Sequence, residues 1–209
     1  DGERSHDAPP GSLAWFCSSS GTNLTVADGA LQLATATGGR HAVAHFPTQT
    51  LAVGERLSLD FDFVLTAPFH DQANGLRFGI FSRNGNPAYT ADSNNPPVTY
   101  LGYVGFANVA PSAPKPASIR KRTDSSATAL ITTSSSYSTV GSTGGPQQGF
   151  AEGTPYHAQL VLERTADDQM ALSLTFTGGE LSDYALSATD TAIVNDFDTV
   201  AIAVASSGG

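Results

Sequence analysis

Cysteine is almost missing from this chain. The 209 residues include one, Cys17, so no internal disulfide can form and packing must hold the fold. Beside Trp15 and Phe16, that thiol reads as a small buried hydrophobe. Lysine is nearly missing too, with Lys115 and Lys121 alone, and charged residues make up 14% of the chain. No apolar run approaches the ~20 residues of a membrane-crossing helix, which argues against membrane insertion. No helical apolar period persists for several turns, so helix is minor or absent. A formal net charge of −9 disfavours nucleic acid, whose phosphates draw on a basic stripe. The one dense basic cluster is Arg120-Lys121-Arg122. A polyanionic glycan is less natural for such a chain unless a local basic patch gathers.

Catalytic signatures are missing as well. The chain has no Gly-x-Ser-x-Gly elbow, His-Glu-x-x-His pair, Cys-x-x-Cys or phosphate-binding glycine loop. These absences set aside the commonest hydrolases, zinc and haem sites, and nucleotide chemistry.

What is present is alternation. Leu57, Leu59, Phe61, Phe63 and Leu65 point one way, and Ser58, Asp60 and Asp62 the other, as in a half-buried strand. Met170–Thr177, Tyr156–Glu163 and Gly75–Arg83 repeat the pattern. Shorter strands are predicted at Leu24–Val26, Ala30–Ala34, His41–Phe46, Tyr100–Asn108, Ser118–Arg122, Ala129–Thr133, Tyr184–Ala188 and Thr199–Val204. Asp28-Gly29, Ala166-Asp167-Asp168-Gln169 and Gly178-Gly179 supply hairpin turns. About a dozen strands joined this way imply an all-β, antiparallel two-sheet sandwich. The length suits one such domain and allows a full core. Long segments without strand pattern fall at Asn84–Thr99, Val109–Ala117 and Thr133–Thr154, where a site would find its walls.

Several stretches carry a family likeness. They are Pro10-Gly11-Ser12-Leu13-Ala14-Trp15, Leu24-Thr25-Val26-Ala27-Asp28-Gly29-Ala30-Leu31-Gln32-Leu33, Leu57-Ser58-Leu59-Asp60-Phe61-Asp62-Phe63, Gly75-Leu76-Arg77-Phe78-Gly79-Ile80-Phe81 and Phe197-Asp198-Thr199-Val200. Together they resemble the concanavalin A-like jelly roll of lectins, glucanases and laminin-G-like domains. The likeness spans nearly the whole chain, but it rests on strand patterns and not on chemical motifs. It implies an accessory domain of an exported bacterial protein, secreted or at the cell surface, beside other domains of a larger protein. Low lysine with abundant serine and threonine fits export, and the start at Asp1-Gly2-Glu3-Arg4 fits processing. Domains of this class begin and end with paired strands. Residues 1–209 are therefore expected to form one sandwich, in which either the closing strand after Ala205-Ser206-Ser207-Gly208-Gly209 is missing or that tail marks a boundary.

The likeness also says what chemistry to look for. Glucanases of this class carry alternating carboxylates on one strand, and two of them flank the scissile bond. Asp60-Phe61-Asp62 has the spacing but lacks the glutamate, and Glu55 has the wrong parity. Jelly-roll polysaccharide lyases use a base and a cation, a set that His41, His45, Arg77, Arg120, Arg122, Tyr100 and Tyr103 could supply. The lyase strand motifs are missing, so a lyase is the enzymatic alternative. A sugar-binding module needs aromatic rings that stack on the pyranose face, with polar groups beside them. Tyr89, Asn95, Tyr100 and Tyr103, with Arg77 and His41, are the candidates for binding a polysaccharide or oligosaccharide. Gly102 and Gly105 interrupt their strand, as where a ligand or another chain approaches closely. Asp196 and Asp198, with Asp190 and Asn195, offer hard oxygens for a structural Ca²⁺, against the alternative of an acidic surface turn. No cofactor is required. The expected function is a non-catalytic carbohydrate-binding or adhesive module, with a lyase or a purely structural extracellular domain as alternatives.

Overall fold

A computed structural model describes residues 13–18, 23–34, 40–66, 75–92, 99–109, 117–123, 130–131, 136–143 and 150–204. Among these the regular elements are all strands, with no α-helix. The elements are β1 (Trp15–Cys17), β2 (Leu24–Ala27), β3 (Ala30–Leu33), β4 (Arg40–Thr50), β5 (Arg56–Val64), β6 (Leu76–Ser82) and β7 (Leu101–Ala107). They continue with β8 (Ala117–Arg122), β9 (Tyr137–Thr143), β10 (Pro155–Ala166), β11 (Gln169–Gly178), β12 (Leu181–Asp190) and β13 (Asp196–Val204).

Seven strands form one sheet in the order β1-β4-β13-β6-β7-β8-β9, and four form a second in the order β12-β11-β10-β5. β2 and β3 stand apart as a hairpin. Its turn is the expected Asp28-Gly29, with φ of 53° and 77° at the two corners, the left-handed pair that a tight hairpin needs. All pairing within the two large sheets is antiparallel.

The sheets stack through the apolar halves of their alternating strands. Leu160, Leu162, Leu172, Leu174 and Phe176 from the four-stranded sheet meet Leu76, Phe78, Ile80 and Val200 from the seven-stranded one. Phe78 stands edge-on to Phe61 at 4.9 Å and to Phe176 at 5.7 Å. Burying each such side chain contributes roughly 1.5–3 kcal/mol.

The central strands of the large sheet break the half-buried pattern. Every residue of β6 from Leu76 to Phe81 and of β7 from Gly102 to Ala107 is buried. A second apolar cluster, with Val43, Phe81, Tyr89, Tyr100, Val104, Phe106, Leu130, Ile131 and Tyr137, covers the side turned away from the small sheet. The large sheet is therefore the middle of three layers, and its far face is roofed by connecting segments.

Several expectations change. Leu130 and Ile131 lie in a bend rather than the strand predicted at Ala129–Thr133, and they roof the far face. Inside the segment read as structureless, Tyr137–Thr143 forms β9, whose serine and threonine pattern hid it. Trp15–Cys17 forms β1, too short to show a period. β13, the last described strand, is flanked on both sides, by β4 and by β6. Cys17 is fully buried against Leu24 and Ala42, as expected of a small apolar residue.

Candidate functional site

The pleat decides which side chains reach the far face. Cross-strand register places His41, Val43 and His45 of β4 beside Ala203, Ala201 and Thr199 of β13. Next come Arg77, Gly79 and Phe81 of β6, then Phe106, Val104 and Gly102 of β7. Ser118 and Arg120 of β8 follow, with Arg122 opposite Tyr137 of β9. The basic triplet is thus split by alternation. Arg120 and Arg122 turn to the far face, while Lys121 turns the other way and pairs with Asp190 at 2.8 Å.

Three arginines therefore stand on one face of an acidic chain. Phe106 lies between two of them, with the Arg77 guanidinium 5.0 Å and the Arg120 guanidinium 4.4 Å from its centroid. Arg77 and Arg122 hold the roof, because their Nη1 atoms donate to the Ile131 carbonyl at 3.0 Å and the Leu130 carbonyl at 2.6 Å. The Tyr137 hydroxyl donates to the same Leu130 carbonyl. Arg122 is fully buried and Arg120 is half-buried, so Arg120 is the arginine nearest to solvent.

Unsatisfied polar atoms lie on this side of the sheet, those of His41 and Tyr89 within reach of the Arg122 charge. Both ring nitrogens of His41, the Tyr89 hydroxyl and the Ser136 hydroxyl are buried without a hydrogen-bond partner among the described residues. The rings of His41 and Tyr89 meet edge-on at 5.9 Å. Burial, aided by the Arg122 charge, pulls His41 down to about 3, so its imidazole is neutral near neutrality. Burial pushes Tyr89 up to about 12, which keeps its hydroxyl protonated. An unsatisfied buried polar group costs about 1–3 kcal/mol, so a cluster of them suits a polar guest.

The sequence candidates do not form one shelf. His41, Arg77, Tyr89 and Tyr100 do share the far face, but Tyr89 is 1% and Tyr100 0% exposed, so neither ring is an open stacking platform. Tyr100 donates its hydroxyl to the Pro87 carbonyl at 2.5 Å and packs near His45 and Tyr89. Tyr103 faces the opposite way. A spacing of three puts it between the sheets, where its hydroxyl donates to Asp190 at 2.7 Å and accepts the Val194 N–H. Asn95 lies outside the described residues.

The glycines of β7 admit no ligand. A Cβ at Gly102 would lie 2.3 Å from the Ile80 carbonyl, and one at Gly105 only 2.8 Å from Leu174 Cδ1. The protein's own chain fills both gaps.

The calcium ligands are also engaged elsewhere. Asp198 is buried and binds the Arg83 backbone N–H at 2.9 Å, its Nε at 3.0 Å, and the Thr199 hydroxyl at 2.9 Å. Asp196 accepts from Thr50 at 2.6 Å at the exposed start of β13. The bulge between Phe197 and Thr199 breaks the alternation that would have aligned the two carboxylates. Among the described residues no cluster of three or more histidine, cysteine or acidic side chains could hold a metal.

The glucanase-like pair lies in the other sheet. Asp60 and Asp62 project from β5, where Gln159 donates to Asp60 at 2.5 Å and His157 contacts Asp62 at 2.9 Å. A shallow depression of about 350 Å³ on that sheet is lined by Val161, Glu163, Ser173, Ser187 and Thr189, without an aromatic ring.

Sequence reasoning missed Ser136 and the roofing role of Leu130 and Ile131. No periodicity flags a residue that acts only once a connecting segment folds over the sheet. His45 and Arg122 were already among the residues that could supply a base and a cation.

No protein-family model and no curated protein matches the sequence. Solved structures do match in fold. A point mutant of the Emp46p carbohydrate recognition domain superposes with a TM-score of 0.51 at 14% identity, covering 91% of this chain and 81% of that one. The potassium-bound form of the same domain gives 0.51 at 12% identity, covering 92% and 82%. A mutant alginate lyase, Aly36B, in complex with alginate tetrasaccharide scores 0.41 at 12% identity, covering 90% and 83%, too distant to bear on function. The fold is a concanavalin A-like jelly roll.

Proposed function

We propose that the chain is a polysaccharide-binding domain of an exported or cell-surface protein, and that it takes acidic glycan on the far face of the seven-stranded sheet. The observation that carries this is the gathering of Arg77, Arg120 and Arg122 on one face of a chain of net charge −9. The unsatisfied His41 and Tyr89 lie on the same face. A guanidinium matches a carboxylate in charge and geometry, whereas neutral sugars ask for open aromatic platforms, which Tyr89, Tyr100 and Tyr103 do not provide. The similar fold of a carbohydrate recognition domain supports a sugar ligand in general terms.

Affinity electrophoresis through gels containing uronate polymers or neutral glucans tests the proposal. Retardation by the uronates is expected, and Arg120→Ala, at the half-buried edge of the face, should weaken it. Binding to neutral glycans alone, or to none, would overturn it.

One observation favours a second reading, a polysaccharide lyase. A neutral, unpartnered His41 can accept a proton, and a protonated, unpartnered Tyr89 beside it can donate one. Incubation with uronate polymers would then generate the ultraviolet absorbance of unsaturated chain ends, and His41→Ala would abolish it. Binding without new absorbance leaves the domain non-catalytic.

A further inference from the structure

The two sheets have four outer edges, and three of them are protected. β1 is three residues long. β9 and β12 face each other at the side of the sandwich, where a Cβ at Gly141 would touch the Ala188 side chain at 2.7 Å. β5 is different. It runs nine residues, pairs with β10 along its whole length without a register shift, and pairs with no other described strand. Neither proline nor glycine interrupts it. A long regular edge offers a row of backbone donors and acceptors to another strand.

The side chains of β5 say which strand fits. Its inward row, Leu57, Leu59, Phe61 and Phe63, is only half-buried, and its outward row reads Arg56, Ser58, Asp60, Asp62. Two copies of β5 related by a twofold axis must pair antiparallel with like faces together, so only alternate registers are available. A register centred on Asp60 sets that aspartate against its own copy. One centred on Phe61 sets Asp60 against Asp62 twice. A register centred on Leu59 instead places Arg56 opposite Asp62 of the second copy, twice, and Ser58 opposite Asp60, twice. Leu57 then meets Phe61 on the inward side.

The charge pattern continues beyond the edge. On β10, Glu163 lies opposite Arg56 and His157 opposite Asp62. Across the joined sheets the row reads Glu163, Arg56, then Asp62 and His157 of the second copy. Acid, base, acid and imidazole alternate without one like pair.

We propose that the protein forms a twofold dimer in which the β5 strands of two copies pair antiparallel about Leu59, joining the four-stranded sheets into one continuous eight-stranded sheet. Because β5 belongs to the sheet opposite the arginine-bearing one, both far faces stay clear of the dimer seam. Two such faces in one particle raise avidity for a repeating polymer without any new contact.

Analytical ultracentrifugation of the whole chain tests this without any glycan, so its outcome is separate from the proposed function. A dimer is expected. Asp62→Arg sets two arginine pairs against each other at a side chain 87% exposed, which puts folding at little risk. It should raise the dimer dissociation constant about tenfold or more, as opposed charges become like charges in two places. Arg56→Asp should do the same, and the double exchange Arg56→Asp with Asp62→Arg should restore the dimer. Thermal unfolding reports that each variant is folded. A wild-type chain that stays monomeric at high concentration overturns the proposal. So do single variants that dimerise like wild type, or a double exchange that restores nothing.

Discussion

His45 accepts the backbone N–H of Tyr89 on its Nε2 at 2.9 Å, and that bond fixes the polarity of a chain of groups. A backbone amide can only donate, so Nε2 carries the lone pair and Nδ1 the proton. Nδ1–H then donates to the Thr199 hydroxyl at 2.9 Å, which in turn donates to Asp198, held by Arg83. Burial, with Arg83 opposing a second positive charge nearby, holds His45 down at about 4 and so preserves the neutral ring this relay needs. The relay ties the segment after β6 across the far face. Tyr89 therefore sits over His41 because His45, four residues further along β4, reaches out to it.

Replacing His45 by alanine should strand the Tyr89 N–H and take away the donor to the Thr199 hydroxyl. We expect a loss of about 1–3 kcal/mol in denaturant unfolding, the usual cost of buried groups left unsatisfied. Glycan retardation should weaken in parallel, because the roof over the arginines loosens. Unchanged stability would show that the segment is held elsewhere.

Acid should destabilise the fold before its carboxylates protonate. His41 and His45 have folded values near 3 and 4, below their ordinary 6.5. Between those values the unfolded chain binds more protons than the folded one, so stability rises with pH through this window. It is fully present above about 6.5 and declines as pH falls toward 4. The thermal midpoint should drop across this range, and a double variant, His41→Phe with His45→Gln, should show a flatter profile. An equal slope in that variant would place the proton uptake elsewhere.

Much of this fold was legible because alternation is a local signal. Leu57 to Phe63 and Met170 to Phe176 declare their inward faces in the sequence, and the structure puts both against one core. The site was harder to read for the same reason. A strand buried on both sides has no polar face to alternate with, so Gly75–Arg83 read as half-buried, and the cover on its second face did not show. Arg77, Arg120 and Arg122 converge only through the register of β6, β7 and β8. Tyr100 and Tyr103 look like neighbours in sequence yet point to opposite sides. The bulge at Asp198 undid the apparent alignment of Asp196 and Asp198.

Calcium should leave the thermal midpoint unchanged, because the buried carboxylate of Asp198 already neutralises Arg83. Asp198→Asn should lower stability with or without the ion, since it weakens the bonds to the Arg83 N–H and Nε. Differential scanning fluorimetry with calcium or a chelator checks this. A calcium-dependent rise that Asp198→Asn removes would reinstate a metal at this turn.

Gly105 and Leu174 make the sharpest test of the layer packing. Gly105 sits on β7 where its missing side chain leaves room for Leu174 of the opposite sheet, and a Cβ there would lie 2.8 Å from Leu174 Cδ1. Leu174 is 1% exposed, so it has nowhere to retreat. Gly105→Ala should therefore cost about 1–3 kcal/mol through overpacking, and Leu174→Ala about 2–5 kcal/mol through the cavity it leaves. Combined, the two changes should cost less than their sum, because the new methyl enters the space vacated by the leucine. A denaturant-unfolding double-mutant cycle measures the difference. Strict additivity would mean that β7 and β11 do not meet at this point, and the stacking of the two sheets would need a different register.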